Sequence, residues 1–115
     1  MWIHLAPQSE DLTPVELNAE ELPVSFGRSM HADITIGDAL LSRTHCELTR
    51  SDDEFVIRDL ESTNGTLVNG VTVNEAVLKP NDTVILGNAR YVVAVRAETS
   101  NSSATEMSDF VEFDE

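Results

Sequence analysis

The 115 residues are 41% hydrophobic, too apolar for a wholly disordered chain and sufficient for one domain with its own core; 21 acids stand against 7 bases, a net charge of −14. That field works against binding nucleic acid or an anionic membrane, because both need many Lys and Arg contacts to phosphate. The single cysteine excludes an internal disulfide framework and a thiolate metal cluster.

The chain opens MWIHLAPQ, with neither the basic start nor the apolar stretch of a signal peptide, so a soluble, cytoplasmic protein is expected, or a nuclear one in a eukaryote. Residues 15–22 are the one helix-like stretch, and the flanking Pro14 and Pro23 favour strand and loop instead. Short runs rich in β-branched and aromatic residues follow at Val24–Phe26, Cys46–Leu48, Phe55–Ile57, Val71–Val73, Val84–Leu86 and Tyr91–Val95. Turn formers separate them: Asp52-Asp53, Asn64-Gly65, Asn69-Gly70, Pro80-Asn81-Asp82 and Gly87-Asn88. Strands and turns that recur about every 8–12 residues, without a sustained helical period, indicate an antiparallel sandwich or barrel.

After Arg96 the pattern stops. Residues 97–115 hold six acids and no base, leaving 15 acids and 7 bases on the preceding 96 residues, a net of −8. The expected division is a folded domain over 1–96 and a flexible, acidic, Ser/Thr-rich tail over 97–115. Phe110-Val111-Glu112-Phe113 is its most apolar part and reads either as a short docking segment or, more plainly, as part of the tail.

Chemistry concentrates in LLSRTHCEL, residues 40–48, which places Ser42, Arg43, His45 and Cys46 within five positions. A Ser–His nucleophile would need an acid to orient it and oxyanion donors, and no Gly-x-Ser-x-Gly elbow is present. Strand residues three apart point to opposite faces, which also argues against a direct Ser42–His45 bond. Cys46 reads as a small core hydrophobe. His4, His31 and His45 lack metal-ligand spacing, and no cofactor motif occurs, so neither a metal nor a cofactor is expected.

An anion receptor has more behind it. Six of the seven bases are Arg, whose planar fork of donors suits phosphate better than the point charge of Lys. Phe26-Gly27-Arg28-Ser29 and Leu41-Ser42-Arg43 pair Arg with a glycine turn or a hydroxyl. Glu61-Ser62-Thr63-Asn64-Gly65-Thr66 adds hydroxyls and an amide suited to a peptide backbone. A phosphomonoester, with three acceptor oxygens, is matched by guanidinium, hydroxyl and backbone N–H groups.

Taken together, Gly27-Arg28, Ser42-Arg43-Thr44-His45 and the run Asp59-Leu60-Glu61-Ser62-Thr63-Asn64-Gly65-Thr66-Leu67-Val68-Asn69-Gly70 resemble, in order and spacing, the signature of the forkhead-associated (FHA) domain. The resemblance spans about residues 2–96. It implies an all-β fold, an FHA-like (SMAD/FHA) eleven-stranded antiparallel β-sandwich of two sheets. It also implies a non-catalytic, phosphothreonine-dependent binding module that recruits phosphorylated partner proteins, the products of a Ser/Thr kinase pathway, through loops at one end. Carried over residue by residue, Arg28, Ser42 and Arg43 are expected at the phosphate, Thr63 at the phosphothreonine, and Asn64 on the peptide main chain. Gly27, His45, Gly65, Asn69 and Gly70 match positions that shape the site, His45 by bracing loops and Gly65, Asn69 and Gly70 by forming turns behind it. Thr99 and Thr105, if phosphorylated, would offer ligands for their own receptor or a neighbour's.

Overall fold

The computed structural model describes residues 1–97, and eleven strands make up nearly all of their regular structure. In chain order these are β1 (Trp2–Pro7), β2 (Val15–Asn18), β3 (Val24–Gly27), β4 (Ile34–Thr35), β5 (Cys46–Ser51), β6 (Glu54–Asp59), β7 (Thr66–Val68), β8 (Val71–Val73), β9 (Glu75–Leu78), β10 (Thr83–Leu86) and β11 (Ala89–Arg96). Where a helix was conceivable, the chain forms β2 and then a single 3-10 turn, Ala19–Glu21. The Asn18 side chain accepts the Glu20 N–H at 3.0 Å, and the Glu21 carboxylate reaches back to the Asn18 N–H at 2.8 Å, a capping box around the short turn.

The strands form two sheets, one of six strands in the order β2-β1-β11-β10-β7-β8 and one of five in the order β4-β3-β5-β6-β9. The expected sandwich is therefore present, with one qualification. All pairs are antiparallel except β3 with β4, which run parallel through Phe26↔Ile34 and Gly27↔Thr35. The pair is short because β4 is only two residues long, a brief return of the chain along the edge of β3.

Alternation along the strands builds the core. Cys46 and Leu48 of β5, and Ala89, Tyr91 and Val93 of β11, point inward and are almost completely buried, with polar or half-buried neighbours between them. Phe26, Phe55, Ile57, Ile3, Leu5, Val84 and Leu86 complete the layer between the sheets. Phe55–Ile57 is a continuous buried run, as suits a strand flanked on both sides by β5 and β9.

Register places the loops. The end of β3 lies beside the start of β5 (Phe26↔Cys46), which lies beside the end of β6 (Cys46↔Asp59), while Leu86 of β10 faces Thr66, the first residue of β7. The segments 28–33, 36–45 and 60–65 consequently emerge at one end of the sandwich. The β10–β11 turn joins them there, its Asn88 N–H donating to Asp38 at 2.7 Å. No helix among the described residues is long and apolar enough to cross a membrane.

Candidate functional site

The site begins with a glycine. Gly27, the last residue of β3, is buried against the backbone of the segment before β5, and an added Cβ would lie 1.9 Å from the Arg43 carbonyl oxygen. This close approach allows two backbone bonds, from the Arg28 N–H to the Ser42 carbonyl at 3.0 Å and from the Ser29 N–H to the Arg43 carbonyl at 3.2 Å. The first two loops are thereby zipped together directly beneath Arg28, Ser42 and Arg43.

Side chains tie in the third loop. Arg28 donates from Nε to the Leu41 carbonyl at 3.0 Å, which aims its guanidinium along the loop. The Ser42 hydroxyl accepts the Thr63 N–H at 2.9 Å, and Asn64 Nδ2 donates to the Leu40 carbonyl at 2.8 Å. Arg28, Arg43, Thr63 and Asn64 are exposed, and Ser42 is half-buried. Among the described residues, the terminal nitrogens of Arg28 and the whole Arg43 guanidinium make no hydrogen bond or ion pair. The Ser42 O–H, the Thr63 hydroxyl and the Asn64 Oδ1 also remain available. Five residues expected at a phosphopeptide thus present uncommitted donors and one amide acceptor on one rim.

Behind the rim, His45 is fully buried and uses both ring nitrogens. Nδ1 accepts the Ser42 N–H at 3.1 Å, so Nε2 carries the proton and donates to the Gly65 carbonyl at 2.8 Å. The His45 N–H donates to the Phe26 carbonyl at 2.8 Å, and its carbonyl accepts the Leu60 N–H at 3.0 Å. One residue therefore links β3, the second loop and the third. Gly65 supports the same junction with φ +86°, a left-handed conformation that glycine adopts without steric cost.

Asp59 organises the third loop. Its carboxylate accepts the Ser62 N–H at 3.0 Å, the Ser62 hydroxyl, and the hydroxyl of the fully buried Thr66 at 2.8 Å. Burial pushes this carboxyl up, but the Ser62 and Thr66 hydrogen bonds outweigh it and hold the group below the usual aspartate range. A depressed carboxyl stabilises the fold above the unfolded-state value, about 3.9, and loses that contribution as pH falls through its folded value. Asp59→Asn is therefore expected to lower the urea midpoint at pH 7. The gap from wild type should shrink as pH falls below about 4; a pH-independent gap would contradict this account.

The structure also decides how Ser42, His45 and Cys46 relate. The imidazole meets the Ser42 backbone N–H, while the Ser42 hydroxyl points to the third loop, so the two side chains do not form a nucleophile and its base. Cys46 is buried in the core, and desolvation, followed by the Asp59 charge, pushes its thiol up to about 12. No group of three or more His, Cys, Asp or Glu among the described residues is arranged to hold a metal ion.

Asn69 and Gly70 are not brought to this end. They form the two-residue turn between β7 and β8 (Val68↔Val71), with φ of +54° and +83°, at the opposite end of β7 from Gly65. Asn69 is tied there to the start of β10, donating from Nδ2 to Asp82 at 3.0 Å and accepting the Thr83 N–H at 2.9 Å. The expectation of a turn at these two residues holds; its expected place behind the site is corrected, because β7 carries the turn to the other end of the strand. The Ser62 and Thr66 hydroxyls, read from the sequence as part of an anion receptor, are instead bonded to Asp59, whose organising role the sequence pattern does not reveal by itself. Asp three residues before Ser is a side-chain-to-backbone turn pattern that could have exposed the Asp59–Ser62 pair.

The sequence model of the FHA domain matches residues 24–87, more than half of the chain. The chain is 41% identical over 85 residues to the ABC transporter ATP-binding/permease protein Rv1747 of Mycobacterium tuberculosis, covering 72% of this chain and 10% of that protein. It is 36% identical over 80 residues to the glycogen accumulation regulator GarA of Mycolicibacterium smegmatis, covering 70% of this chain and 51% of that one. The match thus spans about half or less of these relatives. A solved structure from work on phosphothreonine-dependent FHA domain interactions superposes with a TM-score of 0.76 at 26% identity, over 85% of this chain and all of that one.

Proposed function

The chain belongs to the FHA domain family, and from that premise we propose that it is a non-catalytic module that binds threonine-phosphorylated protein segments in a signalling pathway run by Ser/Thr kinases. The observation that carries the reading is the convergence of three loops on one rim where Arg28 and Arg43 have no ion-pair partner among the described residues of a strongly acidic chain. Uncompensated guanidinium groups among so many carboxylates are what an anion receptor requires.

On this reading Arg28 and Arg43 take the phosphate oxygens, and the Ser42 hydroxyl donates to a third. Thr63 lies against the phosphothreonine. Asn64, its Nδ2 engaged by Leu40, offers Oδ1 to a peptide N–H. Gly27, His45 and Gly65 hold these groups in place, and residues 1–96 are the whole recognition domain, working in the cytoplasm. The test is a titration of phosphothreonine, phosphoserine and unmodified forms of one peptide library. Selective binding of the phosphothreonine forms is expected, and binding indifferent to phosphate would overturn the reading in favour of a scaffold that recognises its partner some other way.

Residues 98–115, with Thr99 and Thr105, lie outside the described residues. Chain length still constrains self-docking. The eight residues of β11 run away from the site end, a span of about 23 Å, while Thr99 lies two residues past Ala97, a reach of at most about 7 Å. A phosphorylated Thr99 therefore serves a neighbour's receptor and not its own; Thr105, with about 28 Å of chain, has the length to return. Protein phosphorylated at Thr99 alone should self-associate with rising concentration in sedimentation velocity. A monomer at all concentrations, with undiminished affinity for added phosphopeptide, would remove Thr99 from this scheme.

A further inference from the structure

The acids on the three loops differ in what occupies them. Asp33 accepts the Ser25 N–H at 2.9 Å, and Asp38 accepts the N–H groups of Leu40 at 2.9 Å and Asn88 at 2.7 Å. Asp59, at the entry to the third loop, is filled by Ser62 and Thr66. Among the described residues of these loops, only Glu61 keeps its carboxylate exposed and without a hydrogen bond or ion pair. It stays unpaired although Arg28 and Arg43 share that end of the domain.

The Glu61 backbone is equally unusual. Four non-glycine residues among those described have positive φ, and three of them, Asp52, Asn69 and Asn81, are types whose short polar side chains tolerate it. The fourth is Glu61, at φ +58°. The Asp59–Ser62 turn calls for that conformation, and glycine would adopt it without strain. A glutamate there carries backbone strain and repels an anionic ligand, and no contact within the domain offsets either cost.

We propose that Glu61 is a specificity-determining residue. Its free carboxylate, on the third loop of the end that carries Arg28 and Arg43, is a cation subsite, and it selects threonine-phosphorylated segments that carry Lys or Arg near the phosphothreonine. The inference rests on the reading of this rim as a phosphothreonine receptor. Repulsion within the domain becomes attraction once a ligand brings both a phosphate and a nearby cation, so the strain at Glu61 is retained for selectivity rather than for folding.

The test uses three phosphothreonine peptides, identical but for Lys, Ala or Asp at the flanking positions, titrated against the full chain, Glu61→Gln and Glu61→Gly at low and high salt. The Lys-to-Ala affinity ratio is expected to fall about three- to fivefold in both variants, the size of a partly exposed ion pair. The difference from wild type should narrow as salt is added. Preference that persists in both variants belongs to the rest of the acidic body. Glu61→Gly should also unfold at higher urea than Glu61→Gln, because glycine relieves the left-handed backbone. An unchanged ratio in both variants, with the Ala peptide still bound, overturns the cation subsite and leaves the receptor reading standing. Failure of wild type to bind any phosphopeptide overturns both.

Discussion

Arg28→Ala is expected to weaken phosphothreonine-peptide binding by about 30- to 150-fold, equivalent to roughly 2–3 kcal/mol for a lost charge-assisted contact. The size of the effect follows from how Arg28 is held. Its Nε is engaged by the Leu41 carbonyl at 3.0 Å, so the remaining two nitrogens are presented as a fork with little rotational freedom left to lose on binding. Arg28→Lys should recover only part of the affinity, because an ammonium keeps the charge but neither the planar fork nor the Nε bond. The fold should tolerate both changes, since the side chain is exposed. Calorimetric titration against phosphorylated and unphosphorylated peptide, with thermal melts as the control for folding, measures this directly. Retention of affinity within threefold of wild type in a folded Arg28→Ala protein would remove Arg28 from the phosphate.

Gly27→Ala should be the most damaging single methyl addition in the domain. The new Cβ would sit 1.9 Å from the Arg43 carbonyl oxygen, 2.7 Å from its carbon and 3.0 Å from the Thr44 Cα, all of them backbone atoms that cannot rotate aside. Either the second loop leaves β3, breaking the Arg28–Ser42 and Ser29–Arg43 backbone bonds, or the strand itself shifts. Overpacking of this kind costs about 3 kcal/mol, which for a domain of this size lowers Tm by more than about 10 °C. Peptide binding should fall with it, because the displaced segment carries Ser42 and Arg43. Gly70→Ala is the internal comparison: nothing lies within 4 Å of its added Cβ, so only the strain of φ +83° is incurred, about 1 kcal/mol. A Gly27→Ala protein that melts within about 3 °C of wild type would refute the packing argument drawn from this contact.

Much of the fold was legible because strands and tight turns are encoded locally. Val24–Phe26, Cys46–Leu48, Phe55–Ile57, Val71–Val73, Val84–Leu86 and Tyr91–Val95 all fall within strands, and Asn69-Gly70 forms the tight hairpin its residue types favour. Composition alone does not mark β1, β4, β7 and β9, for physical reasons. β4 is two residues long, and β9 carries Glu75 and Ala76, which have little strand preference. Trp2–Pro7 alternates well but contains His4 and Ala6, and gains its place by pairing along its length with β11. Short or weak strands are set by the partner that satisfies their backbone, and single-strand propensity does not name that partner.

The same division runs through the site. Sequence alone determined which residues have the chemistry of a phosphate receptor, Arg28, Ser42, Arg43, Thr63 and Asn64, since hydroxyl, guanidinium and amide groups at motif spacing are properties of the chain. Only the tertiary structure decided what holds them and which of their atoms remain free. The Arg28–Leu41, His45–Gly65 and Asn64–Leu40 bonds join positions 13, 20 and 24 residues apart, and they exist because the two sheets bring three loop ends to one rim. Tertiary structure also carried Asn69 and Gly70 to the far end of β7, gave Gly27 its role through a contact with Arg43, and left Glu61 strained and unpaired. Local pattern specifies period, turn type and donor chemistry; packing specifies which distant carbonyl, carboxylate or backbone each group meets, and there lies the difference between a set of polar loops and a receptor.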